Sequence, residues 1–249
     1  SDADVEMLMT SAMHRSDRYK NLIAQGLTES QIRKVFNQKT NMRVFSWDAG
    51  EENNYEVDTV MSPFDSIRHY KSHLQAGLIS IEPETGFIKA WVGGANIDHF
   101  AYDHVRLGKR QVGSTIKPFV YAAGIAMGVV KPGLVIPDIR YCVDLFDPSG
   151  NPDGQWCPQN ADGSGSGGAV SIRKGLAMSK NNVEVYIMRQ MGHKGGPQTV
   201  AKIMKSMDIE LRDLDIVPAM CLGSMDLSLH EMVGAQSTFA NNGIFNRPT

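Results

Sequence analysis

The sequence predicts an α+β fold, and three observations carry that expectation. Short strand-like segments come in pairs early in the chain, each pair joined by a polar or Pro/Gly turn. Helical segments dominate the rest of the chain. Strands and helices do not alternate as they would in a βαβ chain, and no internal repeat is visible.

Taken in order, residues 5–38 read as helices. Thr28 with Gln31 three positions on makes a capping box, and TESQIRKVFNQ continues with helical spacing. MRVFSWD (42–48) and YEVDTVMS (55–62) are strand candidates around the turn AGEENN. DSIRHYKSHLQAG reads as a helix that ends near Gly77. LISIE and FIKAWVGG bracket PETG, a hairpin signal. A polar loop leads to an apolar helix expected to start at Ser114. Residues 131–170, rich in Pro, Gly, Asp and Asn, read as a long loop. Helices are expected to resume at Ser171, Asn182, about Pro197 and Ser228. The last carries a Ser228/Glu231 capping box and Gly243 as its stop.

Composition removes several function classes. The chain has 249 residues, 42% hydrophobic and 21% charged, with a formal net charge of −2. These are globular values, and there is no basic block to serve as a nucleic-acid footprint. No apolar run reaches the roughly 18 residues that span a bilayer, and these residues are not expected to include a signal peptide. The chain opens on SDADVEML, without an initiator Met and almost directly in a helical pattern, so a piece of a longer protein is expected. The seven histidines show no ligand spacing, and neither a metal nor a cofactor is called for. Gly163, Gly165 and Gly168 match G-x-G-x-x-G but follow no strand, which leaves a flexible turn. Cys142 and Cys157 flank DLFDPSGNPDGQW. A bridge between them and three free thiols, counting Cys221, both remain open.

One constellation carries chemistry. In GKRQVGSTIKPFVYAAGIAMG, Lys117 stands three residues after Ser114, and Pro118 falls in the first helical turn, where a missing N–H costs little. Residues three apart share a helix face, which puts the amine within reach of the hydroxyl. A serine attacks only once a base takes its proton, and a lysine is a base only when neutral. An apolar helix pushes its pKa in that direction. Alone, S-x-x-K is more often a Ser N-cap beside a solvated lysine. Downstream, Ser179-Lys180-Asn181 joins two helical segments, SIRKGLAM and NVEVYIMRQMG, and such a joint can aim Ser179 and Asn181 at one site.

These motifs resemble those of penicillin-binding proteins and serine β-lactamases. RQVGSTIKPFVYAAGI resembles the nucleophile segment of the transpeptidase domain of class A, bifunctional penicillin-binding proteins. GLISIEPETGFIKAWVGG resembles that domain's opening hairpin, LAMSKNNVEVYIMRQMG its second motif and LSLHEMVGAQSTFANNGIF a later helix. MRVFSWD with DTVMSPFDSIRHYKSHLQAGL resembles the linker that follows the family's glycosyltransferase domain.

The resemblance implies helices packed on an antiparallel sheet, with residues 1–70 a small α+β linker and 71–249 a transpeptidase domain. It implies Ser114 as nucleophile on a D-Ala-D-Ala stem peptide of peptidoglycan and Lys117 as its base. Ser179 would pass a proton toward the leaving amine, and Asn181 would bind the substrate amide. β-Lactams would acylate Ser114. It further implies a membrane-anchored parent at the outer face of the cytoplasmic membrane, among other cell-wall synthesis proteins. The family's third element, Lys-Thr-Gly or Lys-Ser-Gly on a strand, does not occur in these residues, so a domain truncated before that strand is expected. Other readings are a D,D-carboxypeptidase or β-lactamase, against which the linker-like segment 42–77 speaks, and a catalytically silent penicillin-binding scaffold or sensor.

Overall fold

The computed structural model describes residues 2–146, 149–163, 165–192 and 195–249. The chain forms two compact units, Ser1–Gln75 and Ala76–Thr249.

In the first unit, helices α1 (Asp2–Arg15), α2 (Asp17–Ala24) and α3 (Glu29–Asn37) precede an antiparallel pair, β1 (Thr40–Phe45) and β2 (Glu56–Met61). Helix α4 (Pro63–Ser72) comes after them. The Thr28/Gln31 capping box is present at the start of α3. At α4, Ser62 accepts from the Asp65 N–H and Pro63 opens the helix, the position where proline costs no hydrogen bond. Met13, Ile32 and Phe36 form the core, with Tyr19, Leu22, Leu27, Phe64 and Ile67 packed around them.

The second unit opens on the hairpin β3 (Leu78–Ile81) and β4 (Ile88–Val92). Its turn needs Gly86 in the left-handed region at φ +80°. Strand β5 (Lys109–Gln111) runs into a 3-10 turn, Gly113–Ile116, and then into α5 (Lys117–Ala126). Four short strands come next: β6 (Val135–Pro137), β7 (Val143–Phe146), β8 (Pro152–Trp156) and β9 (Ala169–Ser171). Helices α6 (Ile172–Ala177), α7 (Asn181–Met191) and α8 (Gly195–Ser206) succeed them. β10 (Asp226–Ser228) and α9 (Leu229–Ala240) complete the order. All strands among the described residues pair antiparallel and in twos, β6 with β9, β7 with β8 and β5 with β10 beside the two hairpins. The Ser228/Glu231 capping box closes the start of α9.

Two sequence expectations need correction. The stretch 131–170 is not a plain loop, because it carries β6 to β9. These strands are three to five residues long, too short for alternation to show, and β6 finds its partner beyond the Gly-rich stretch. Asp147 and Pro148 lie outside the described residues. A Cys142–Cys157 disulfide flanks the β7–β8 pair. Closing a loop of that size contributes about 3 kcal/mol in a chain-entropy account. The helix expected from Ser114 begins instead at Lys117, after the 3-10 turn.

Helix α5 is the centre of the second unit. Phe119, Val120 and Ala123 are fully buried in a core shared with Val183, Val185, Ile187 and Met188 of α7 and Val200 and Met204 of α8. Gly124 permits the close approach of α7, since a Cβ there would stand 2.6 Å from Ile187 Cγ2.

Candidate active site

Ser114 sits on the 3-10 turn, and that turn is fixed from elsewhere in the chain. The β5–β10 pairing extends through the Val112 N–H to Met225 O and the Gly113 N–H to Gly223 O, both at 3.1 Å. Gly223 has φ +75°, and a side chain there would collide with the Gly113 backbone, so only glycine fits. From α9, Gln236 Nε2 donates to Thr115 O at 2.7 Å. Ser114 itself is exposed. Among the described residues its Oγ has no hydrogen-bond partner, and its N–H has no acceptor.

Lys117, the first residue of α5, is 1% exposed, an unusual place for an amine. Its Nζ donates to Ser179 O at 2.7 Å, Ser179 Oγ at 3.1 Å and Asn181 Oδ1 at 2.8 Å. The structure thus brings Lys117, Ser179 and Asn181 together. Among the described residues no hydrogen bond joins Lys117 Nζ to Ser114 Oγ, the pairing that the three-residue spacing suggests; the two residues are joined through the backbone, Lys117 N–H to Ser114 O. The long lysine stem instead reaches inward to the α6–α7 joint, where three oxygens accept from its amine.

Ser179 is shaped by how α6 ends. The Ser179 N–H donates to Leu176 O and the Lys180 N–H to Gly175 O, both at 2.9 Å, the hydrogen-bond pair of a Schellman motif. The residue at its turn adopts the left-handed region, and Ser179 does so at φ +52° where glycine is usual. A serine there stores strain, which marks positions kept for a purpose. That conformation lets both its carbonyl and its hydroxyl meet the Lys117 amine. Asn181 then opens α7, and its Nδ2 donates to Gln159 O at 3.1 Å.

Asp138, which the sequence did not single out, anchors this joint from the loop side. Its Oδ1 accepts from Asn182 Nδ2 (2.9 Å) and Asn160 Nδ2 (3.2 Å). Its Oδ2 accepts from the Ser166 N–H (3.2 Å) and Oγ (3.1 Å), and Lys180 Nζ lies 3.3 Å from it. Burial pushes the Asp138 carboxyl up, but the bonds from Asn182, Ser166, Asn160 and Lys180 outweigh it and hold the group well below the usual carboxylate range. Nothing in PDIRY signals this role, because the partners come from three separate segments.

Burial pushes the Lys117 amine below its ordinary pKa, against the opposing pull of Glu184 and Cys221. A neutral amine has two N–H donors and one lone pair. It can donate to Ser179 O and Asn181 Oδ1 and accept the proton of the Ser179 hydroxyl. The site therefore combines an accessible hydroxyl, a buried amine with a second hydroxyl on it, and an amide. That set suits nucleophilic acyl transfer with a lysine base. Among the described residues, no group of three or more His, Cys, Asp or Glu side chains is placed to hold a metal ion.

Comparison with known proteins agrees in outline. Residues 1–74 match the penicillin-binding protein middle domain and residues 77–249 the penicillin-binding protein transpeptidase domain. Penicillin-binding protein 1A of Neisseria lactamica is 31% identical over 170 residues, 68% of this chain and 20% of that protein. Its namesake in Vibrio cholerae is 32% identical over 170 residues, 68% of this chain and 19% of that protein. The crystal structure of penicillin-binding protein 1A from Haemophilus influenzae superposes with a TM-score of 0.60 at 25% identity, covering 70% of this chain and 25% of that one. The chain spans about a fifth of the length of the curated relatives it matches.

Proposed function

The chain belongs to the penicillin-binding protein transpeptidase family, and on that premise we propose that it carries the acyl-transfer centre of a peptidoglycan D,D-transpeptidase that β-lactams inactivate. The observation that supports this best is the convergence of two distant segments on one amine. Lys117 Nζ lies within hydrogen-bond distance of both Ser179 Oγ and Asn181 Oδ1 while buried from water.

In this reading Ser114 Oγ attacks the carbonyl of the penultimate D-alanine of a stem peptide. Its proton passes to Lys117, whose suppressed basicity leaves a lone pair available. The Ser114 N–H, free of intramolecular acceptors, receives the developing oxyanion. Ser179, hydrogen-bonded to the amine, hands a proton to the departing D-alanine nitrogen as it takes one from the Lys117 ammonium, the C–N bond breaks, and the acyl-serine remains with Lys117 neutral again. The amine of a neighbouring stem peptide then attacks, loses its proton along the same path, and the cross-link forms. Asn181 aligns the substrate amide. Residues 1–70 serve as the linker after a glycosyltransferase domain of the parent protein. That parent is membrane-anchored in the cell envelope, with its catalytic domains on the outer face of the cytoplasmic membrane.

Incubating the full-length protein with a fluorescent penicillin and mapping the labelled peptide tests this reading. The adduct is expected on Ser114 and should vanish in Ser114→Ala. A label on another residue, or no label at all, overturns it.

A further inference from the structure

Beneath the Lys117–Ser179–Asn181 cluster lies a second tier of polar groups that the proposed reaction does not use. Tyr121 follows Lys117 by four residues on α5, and Glu184 follows Asn181 by three on α7. Each therefore shares its helix face with a site residue, one turn deeper. Glu184 is 0% exposed. Both its carboxyl oxygens and the Tyr121 hydroxyl are buried without a hydrogen-bond partner. Cys221, buried in the 3-10 turn Pro218–Leu222, closes the tier.

The groups that interact electrostatically with Glu184 are Lys117 and Tyr121 of α5 and Cys221. The charged residues on the other elements packed against α7 are Arg173 and Lys174 of α6, Lys202 and Lys205 of α8 and Asp144 of β7. All of them are exposed to solvent. Lys117 is thus the one buried cation available to this carboxyl among the described residues.

We propose that Glu184 is a positioning residue for Lys117, a buried carboxyl that makes no direct hydrogen bond to the amine and acts on it through the low-dielectric core, so that its charge decides whether Lys117 is a free base. This inference rests on the acyl-transfer reading. A buried carboxylate with no hydrogen bond is too costly to persist alone, and an ammonium beside it repays part of that cost. The pair holding one proton has therefore two forms, amine with carboxylic acid and ammonium with carboxylate. Only the first can accept the Ser114 proton. During acylation the Ser114 O–H bond breaks and an N–H bond forms on Lys117. The carbonyl electron pair moves to the oxyanion, and the Glu184 proton stays where it is. Burial pushes Glu184 well above the usual carboxylate range against the opposing pull of Lys117, in keeping with the first form.

The test is the pH dependence of Ser114 acylation by a fluorescent penicillin in the full-length protein, paired with infrared difference spectroscopy. With Glu184 in place, the acid limb is expected to spread over two steps, because the pair loses its protons as a unit. Glu184→Gln keeps the shape but cannot ionise. It should show a single-proton limb and a higher acylation rate at neutral pH. The protonated-carboxyl stretch seen at neutral pH should disappear in the same variant. If Glu184→Gln does not fold, Glu184→Met, apolar and of similar length, must remove the same band. A pH profile superimposable on wild type, or a carboxyl band unchanged by both substitutions, overturns the proposal. Failure of wild-type protein to label at Ser114 would instead sink the acyl-transfer reading, while the infrared band still decides the state of Glu184.

Discussion

Two lysine–carboxylate couples meet at the joint between α6 and α7, and their surroundings differ sharply. Asp138 is buried but takes hydrogen bonds on both oxygens and stands 3.3 Å from Lys180. Its carboxyl is held low and the Lys180 amine is held high by Asp138. Glu184 is equally buried but has no hydrogen bond, and here the carboxyl is pushed up and the Lys117 amine down. Both carboxyls are shut off from solvent, but Lys180 keeps some exposure where Lys117 is fully buried, so depth and the supply of hydrogen-bond donors act together. Where donors are plentiful the pair is ionic and serves as an anchor. Where they are missing, charge is suppressed and the amine becomes available for chemistry.

The sharpest way to break this contrast is to remove the amine proposed as the base. Lys117→Met should slow acylation of Ser114 by about 10²–10⁴-fold, the usual reach of a positioned proton acceptor. A rate within twofold of wild type would mean that another group takes the serine proton. On the anchored side, Asp138→Ala strands the donors of Asn182, Asn160 and Ser166. Urea unfolding should then show a loss on the order of 3 kcal/mol, from several buried groups left unpaired. A loss indistinguishable from zero would show that the network positions nothing.

Ser179 stands between the couples and separates stability from function. Ser179→Gly relieves a left-handed serine and should stabilise the fold by about 1 kcal/mol while slowing acylation, as the hydroxyl on the Lys117 amine is lost. A variant both less stable and equally active would contradict both roles assigned to it.

The pH dependence of stability should carry opposite signs for the two carboxyls. The folded pKa of Asp138 lies below its unfolded value of about 3.9. Its contribution is therefore complete above that pH and is lost as pH falls, and the gap between wild type and Asp138→Asn should close in acid. The folded pKa of Glu184 lies above its unfolded value of about 4.3. The wild-type protein therefore loses ground as pH rises past that point, and Glu184→Gln should gain on it toward neutral pH. Chemical unfolding across pH measures both, and curves that move in the same direction would erase the distinction. The smallest effect is expected from Lys180→Met. Asp138 keeps its other donors, so the fall in melting temperature should be smaller than that of Asp138→Ala.

Much of the architecture was legible in the sequence where its cause is local. Capping boxes at Thr28 and Ser228, the PETG hairpin and the S-x-x-K and S-x-N spacings all depend on neighbours a few residues away. The features that escaped depend on distant partners. Strand β6 pairs with β9 across the loop region, Asp138 gathers donors from three segments, and the Lys117 amine reaches Ser179, 62 residues away in sequence. Glu184 did leave a trace. A glutamate in NVEVYIM stands among residues buried on every side, and a carboxyl inside an apolar stretch is a signal in its own right.

The contact of Gly113 with Gly223 reaches beyond geometry into the order of assembly. The turn that presents the proposed nucleophile is held by backbone belonging to a much later stretch of chain. During synthesis α5 can form long before its partner has left the ribosome, but the turn at its start waits for Met225. Non-local closures of this kind are slow to form. The turn that carries the hydroxyl at 114 is thus complete only once Gly223 and Met225 have been made.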